Sequence, residues 1–349
     1  MLIMKNLVYY ESGSNSPAFN LALEQALAEE IPAHGEAGTG YFMLWQNAPA
    51  VIIGRHQNAR AEVNLPELSS REISLVRRLT GGGAVYHDLG NLNFTFILPQ
   101  ARSEHISNQD VLAPLLAYFT SLGLEAGMEG RNDITLKGKG KISGLASRQI
   151  SPPAAPGSGK YQLHGTILFD VDLNVLEKVL LVDPAKYKSK GVASVRARVS
   201  NLRPHVNIGL NELWRGIKQA YPATERPLPD KLRRRAMQLV EDRYGRDDWN
   251  LGMSPYGDIQ LSARFSFGSL ELDLASKNNV ICAAHITGDF LTPGNTSDQI
   301  SVEELAASLI GLPAHNHTAW AEAWRKFDFS KVFYNCNSSQ EILNWLKQE

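Results

Sequence analysis

Three consecutive glycines, Gly81–Gly83, stand between a pair of arginines and an alternating apolar run in RRLTGGGAVYHDLGNLNFTF, residues 77–96. Backbone without Cβ atoms accepts positive φ and lets a ligand approach closely. The flanking Arg77, Arg78 and Thr80 suit an anion, so the stretch reads as a phosphate-holding loop. Neighbouring residues on a strand face opposite sides, so one arginine is expected at the ligand and the other in a structural ion pair. The run Ile73–Arg78 reads as the strand entering the loop, and Leu92, Phe94 and Phe96 alternate in a strand leaving it. Strand, loop, strand excludes a P-loop or a dinucleotide-binding fingerprint, both of which open into a helix.

Around this stretch the chain has the content of a globular α/β protein. It is 349 residues long, which suggests two domains, and 43% hydrophobic with 20% charged residues, enough to build a core. The formal net charge of −1 offers no overall field for nucleic acid or an anionic membrane, so an anion site must be local. Cys282 and Cys336 are far apart and form neither a metal spacing nor a disulfide framework. The N-terminus does not read as a signal peptide, and no apolar run reaches the ~20 residues of a membrane span. These features predict a cytoplasmic protein.

Strand patterns fall at Tyr41–Gln46 and Ala50–Gly54, joined by a tight NAP turn, and at GRNDITL, KISGLAS and HGTILFD. Helical periodicity marks NSPAFNLALEQALAEEIP, residues 108–123 and DLNVLEKVLL. A domain boundary is placed near residue 250, giving domains 1–250 and 251–349. Beyond it three strands and a helix with a Ser301–Glu304 capping box suggest a small α/β unit.

Other residue types with chemical potential are weighed against simpler roles. Lys137, Lys139 and Lys141 share one strand face, which is the usual makeup of a solvated hairpin tip. Lys141 differs, because it enters the small run Ser143-Gly144 and could meet a carboxylate or phosphate as a point charge. Asn132-Asp133 fits either an Asx turn or a metal or ribose contact. His87-Asp88 are strand neighbours that point apart, which argues against a catalytic pair. His164 fits a core or turn histidine as well as a ligand. No group of His, Cys, Asp and Glu has zinc spacing, and neither cysteine has the basic setting of a nucleophile.

Seven stretches occur in a fixed order: FNLALEQAL, LWQNAPAVIIGRHQNA, RRLTGGGAVYHDLGNLNFTF, GRNDITL, GKISGLASRQ, HGTILFD and KGVASVRARVSNL. Together they resemble the bacterial lipoate–protein ligases of the A type, over about residues 7–205, with 250–349 similar to that family's accessory domain. The resemblance implies a biotin-ligase-like α/β fold, a mixed sheet with flanking helices, and a small C-terminal α/β accessory domain. It implies a two-step reaction in which lipoate or octanoate and MgATP give an acyl-adenylate. The acyl group then passes to a lysine of a lipoyl carrier domain, such as a 2-oxoacid dehydrogenase E2 subunit or a glycine-cleavage H protein. A monomer without nucleic-acid or membrane partners is expected.

By the same resemblance, Arg78, Gly83, Ala84, Val85, Tyr86 and Lys141 bind the nucleotide, and Lys141 is catalytic. Lys141, His87, Trp45 and His164 bind lipoate, with Trp45 and the apolar side of the 92–96 strand supplying the acyl slot. Asp133 is the expected magnesium-linked carboxylate, and KGVASVRARV a closing loop. Two departures stand out: SPPAAPGSGK is longer than usual for the family, and Thr80 replaces a common serine. An ATP-independent octanoyl or lipoyl transferase, a biotin ligase and a non-catalytic acyl-adenylate binder are the alternatives. The transferase is opposed by the cysteine positions, the biotin ligase by the missing GRGR-type loop.

Overall fold

The chain opens with the strands β1 (Asn6–Glu11), β2 (Thr39–Trp45), β3 (Ala50–Ile53), β4 (Ser74–Arg77), β5 (Val85–His87) and β6 (Asn91–Gln100), of which the long β6 alternates its apolar and polar residues. They continue as β7 (Ala126–Glu129), β8 (Asp133–Leu136), β9 (Gly140–Ile150), β10 (Gly159–Leu168) and β11 (Ala223–Glu225). The computed structural model describes residues 6–30, 39–100, 106–130, 132–150, 159–181, 198–252, 257–293 and 300–348. Most of SPPAAPGSGK and of KGVASVRARV lies outside these residues.

Eight strands form one mixed sheet in the order β11-β1-β2-β6-β10-β9-β8-β7. The strand β6 shows how its two faces are made. Leu92, Phe94, Phe96 and Leu98 point into a core shared with the helices Asn108–Ser121 and Leu210–Ala220. Asn91, Asn93 and Thr95 point the other way, toward the helix Pro17–Glu30 and the side that holds the site. On that side Val8, Tyr10, Met43 and Ile97 pack with Leu23, Leu27 and the helix Asp230–Leu239.

The NAP turn does not close a hairpin. Its two strands part, with β2 in the large sheet and β3 in a second sheet of order β4-β3-β5. The turn is held instead by Ala48 N–H donating to Asn15 O at 2.8 Å. The glycine loop therefore joins β4 to β5 within the small sheet, and β6 follows only after the turn at Asp88–Gly90. A third sheet, β12 (Ile259–Phe265), β13 (Gly268–Lys277) and β14 (Val280–Thr287), is antiparallel. It packs its own core, including Trp320, Trp324 and Phe333, against the C-terminal helices.

Candidate active site

The glycine loop is built from both arginines, in different ways. Arg77 is 5% exposed and donates to six backbone carbonyls, those of Gly54, Arg55, Gln57, Trp249, Asn250 and Leu251. It is the structural arginine, but its partners are carbonyls and not the carboxylate that an ion pair requires. Arg78 turns inward. It donates to Thr80 Oγ1 at 3.0 Å and to the carbonyls of Ile52, Gly81 and Gly83 at 3.1, 2.7 and 2.8 Å. Burial draws its pKa down to about 10, so the guanidinium keeps its charge at neutral pH.

The three glycines have three separate reasons. A Cβ on Gly81 would lie 2.4 Å from Phe290 O, so the C-terminal unit sits directly on the loop. Gly82 has φ of 90° and donates its N–H to Phe290 O at 3.2 Å. Gly83 faces open space within 4 Å and lines a cavity of about 270 Å³.

Lys141 reaches the same cavity from β9. The register against β8 shifts between Ile134–Ser143 and Thr135–Lys141, so Ile142 is the extra residue of a β-bulge. Bulges re-aim side chains, and here Lys141 folds back over Gly144. A Cβ on Gly144 would lie 2.9 Å from Lys141 Nζ. Lys137 pairs with Glu125 at the exposed tip, so the alternating lysines are not one column of charge. Lys141 Nζ lies 2.7 Å from Asp133 Oδ1, and Arg198 donates to Asp133 Oδ2. Burial lowers the pKa of Lys141 against the opposing pull of Asp133. Burial works to raise that of Asp133, but Lys141 and Arg198 outweigh it and lower it.

Asp133 does not fit the expected metal role in this arrangement. Both oxygens face cations, and among the described residues no three His, Cys, Asp or Glu side chains come together as a metal site. It is the counter-ion of Lys141.

The acyl slot also differs from the expectation. Leu92, Phe94 and Phe96 lie in the core on the far face of the sheet, and the polar side of β6 lines the cavity through Asn93. Cross-strand pairing places Trp45 beside Asn93, Asn93 beside Thr166, and Thr166 beside Gly144, whose N–H donates to Thr166 Oγ1. Trp45, Asn93, Thr166 and Gly144 thus form a row across four strands. Three interstrand steps span about 14 Å, from Trp45 to the glycine beneath the Lys141 ammonium.

A buried line of hydrogen bonds runs behind this row. Trp45 Nε1 donates to Thr95 Oγ1 at 2.9 Å, and Thr95 donates to Glu24 at 2.5 Å. His164 Nδ1 stands 2.9 Å from Glu24 Oε1, and its Nε2 2.8 Å from Thr80 Oγ1. Because Arg78 Nε–H donates to Thr80 Oγ1, the threonine hydrogen is left for His164 Nε2, and Nδ1–H turns to Glu24. Glu24 went unnoticed because it lies in the helix Pro17–Glu30 among leucines and alanines. The signal was its i,i+4 spacing from Asn20 on one face, both polar and both buried.

The cavity gathers Trp45, Arg78, Gly83, Ala84, Val85, Tyr86, His87, Asp133, Lys141 and His164. To these the structure adds Asn93, Gly144, Thr166 and Arg198, with Arg264 and Leu291 from the C-terminal unit. Neither Cys282 nor Cys336 lines it.

Residues 16–221 match the model of the lipoyl protein ligase A/B catalytic domain, and residues 254–346 that of the bacterial lipoate protein ligase C-terminus. Lipoate–protein ligase 1 of Staphylococcus aureus (strain Mu50 / ATCC 700699) is 33% identical, over 91% of this chain and 93% of its own. The crystal structure of P. falciparum LipL1 in complex with lipoate superimposes with a TM-score of 0.77 at 25% identity, covering 99% of this chain and 100% of that one. A lipoate–protein ligase A bound with ATP gives a TM-score of 0.58 at 26% identity, over 71% of this chain and 98% of that one.

Proposed function

Because the chain belongs to the lipoyl protein ligase A/B family, we propose that it is an ATP-dependent lipoate–protein ligase whose site is this cavity. The observation that carries the reading is a single cavity holding the glycine loop, the Lys141 ammonium and a slot leading to Trp45. An acyl-adenylate needs all three, one each for its phosphate, its carbonyl and its chain. A carboxylate is repelled by the α-phosphate it attacks, and fixed positive charge placed where the reacting oxygens meet lowers that barrier. Lys141 supplies such a charge as a point donor to acyl and phosphate oxygens. Arg78 shapes the loop through its carbonyls and adds a second, and the Gly83–Tyr86 backbone borders the nucleotide.

The acyl group then moves to the ε-amine of a lysine on a folded lipoyl carrier, and AMP leaves. Dehydrogenase E2 subunits and the glycine-cleavage H protein are the carriers this reading admits. Magnesium enters it as the counter-ion of the ATP triphosphate, since Asp133 is committed to Lys141 and Arg198. This reading takes the protein as a cytoplasmic monomer, and among the described residues no helix is long and apolar enough to cross a membrane.

ATP–pyrophosphate exchange with lipoate, octanoate and biotin in turn tests the assignment. Lipoate-dependent exchange is expected, and Lys141→Ala lowers it about 10²- to 10³-fold with an unchanged melting temperature. The assignment fails if lipoate supports no exchange.

A further inference from the structure

His87 ends a chain of amides whose orientations are forced. The side-chain nitrogen of Asn20 lies 3.0 Å from Ser14 O and 2.9 Å from Gln46 O. Carbonyls only accept, so this atom is the donor Nδ2. It also donates to Asn47 at 2.9 Å, so the Asn47 atom facing it is Oδ1. The opposite end of Asn47 is then Nδ2, which lies 3.0 Å from His87 Nδ1. An amide nitrogen cannot accept, so His87 Nδ1 carries no proton, and in the neutral ring the proton sits on Nε2. Burial, reinforced by Arg78 and His164, pulls the His87 pKa to about 3, so the ring stays neutral.

That Nε2–H is buried and has no partner among the described residues, yet His87 lines the cavity. The ring stands 6.3 Å from that of Trp45, at the end of the strand-crossing row remote from Lys141. Asn93, likewise buried and lying in that row, leaves its Nδ2 unpartnered. Buried donors left unmade are costly, and a ligand that supplies an acceptor removes that cost.

We propose that Asn20 and Asn47 are positioning residues that lock His87 as its Nε2–H tautomer, placing a neutral donor where the acyl tail ends. That donor favours a tail carrying an acceptor, such as the sulfurs of a dithiolane ring, over a plain alkyl tail. The proposal rests on the ligase reading, which fixes the carboxyl end at Lys141 and so the tail at Trp45 and His87. Sulfur is a weak acceptor, so the preference is modest, roughly fivefold to tenfold in kcat/KM for lipoate over octanoate.

Two measurements on the full chain test it. Long-range ¹H–¹⁵N NMR of the histidine rings is expected to show His87 neutral and protonated at Nε2. A proton on Nδ1 overturns the positioning role. Exchange kinetics with lipoate and octanoate are expected to show the preference in the unmodified protein and its collapse toward one in His87→Phe, which keeps an aromatic ring without the donor. Asn47→Leu, which frees the tautomer, should shift the ratio the same way and serves where His87→Phe does not fold. An unmodified protein with no preference, or a ratio unmoved in both variants, overturns the specificity role. Exchange with neither acid defeats the ligase reading and the tail preference with it, while the NMR result still decides what Asn20 and Asn47 do.

Discussion

Each oxygen of the Asp133 carboxylate faces a different cation, and this decides what replacing it does. Asp133→Asn keeps the shape and removes the charge that holds Lys141 in its ammonium form. Burial already lowers the Lys141 pKa, and Asp133 is the largest effect opposing it, so the substitution lowers that pKa further. The ammonium is then lost at a lower pH, and the alkaline limb of the exchange–pH profile moves toward neutrality. The magnesium concentration for half-maximal exchange stays where it was, because this carboxylate is not available to a metal. A raised magnesium requirement with an unmoved alkaline limb would restore the metal role that the motif GRND suggests. A carboxylate three residues past a glycine looks the same in sequence whether a metal or an ammonium faces it. Only the fold brings Arg198 and Lys141 to it from elsewhere in the chain.

At the scale of elements, the bulge at Ile142 and the bare Gly144 aim the lysine together. Gly144→Ala puts a methyl 2.9 Å from Lys141 Nζ and 3.1 Å from Cε. Those atoms are the free end of a flexible chain, so they swing away and the strand survives. We expect a melting temperature close to that of the unmodified protein and exchange reduced about 10²-fold, the cost of roughly an ångström of misplacement. Full activity would mean that the position over Gly144 is not the working one. The long strands and helices were legible, because β6, β9 and the helix Asn108–Ser121 carry enough residues to display a period. The small sheet was not. Its strands have four, four and three residues, too few for a period, and parallel pairing of β3 with β4 leaves no local mark. The glycine loop, with its neighbouring motifs, identified most of the cavity wall. Asn20 and Glu24 stayed hidden because a helix face with two polar residues still reads as apolar.

Across the whole molecule, we propose the division the sequence suggested, close to residue 250, with Trp249–Leu251 on the catalytic side because Arg77 grips their carbonyls. The C-terminal unit has its own core, yet its segment 288–291 closes on the loop. Gly288 N–H donates to His56 O at 3.0 Å, and the His56 ring stacks on Phe290 at 5.1 Å. Nothing in the polar run RHQNA signals this contact, since the partner lies more than two hundred residues away. Burial, with Arg55 and Arg77 beside it, pulls the His56 pKa from its ordinary 6.5 to about 3, and His87 is lowered to about 3 as well. Below pH 6.5 the unfolded chain takes up protons that both folded rings refuse, so stability falls as pH falls, down to about pH 3. The slope is at most about 1.4 kcal/mol per pH unit for each ring. Restricting the comparison to pH 6.5–5 keeps most carboxylates out of it. The urea midpoint is expected to drop across that window, and to drop less in His56→Phe, which preserves the stack on Phe290 but cannot take a proton. Equal drops in the two proteins would show that the junction between the units is indifferent to the charge of His56.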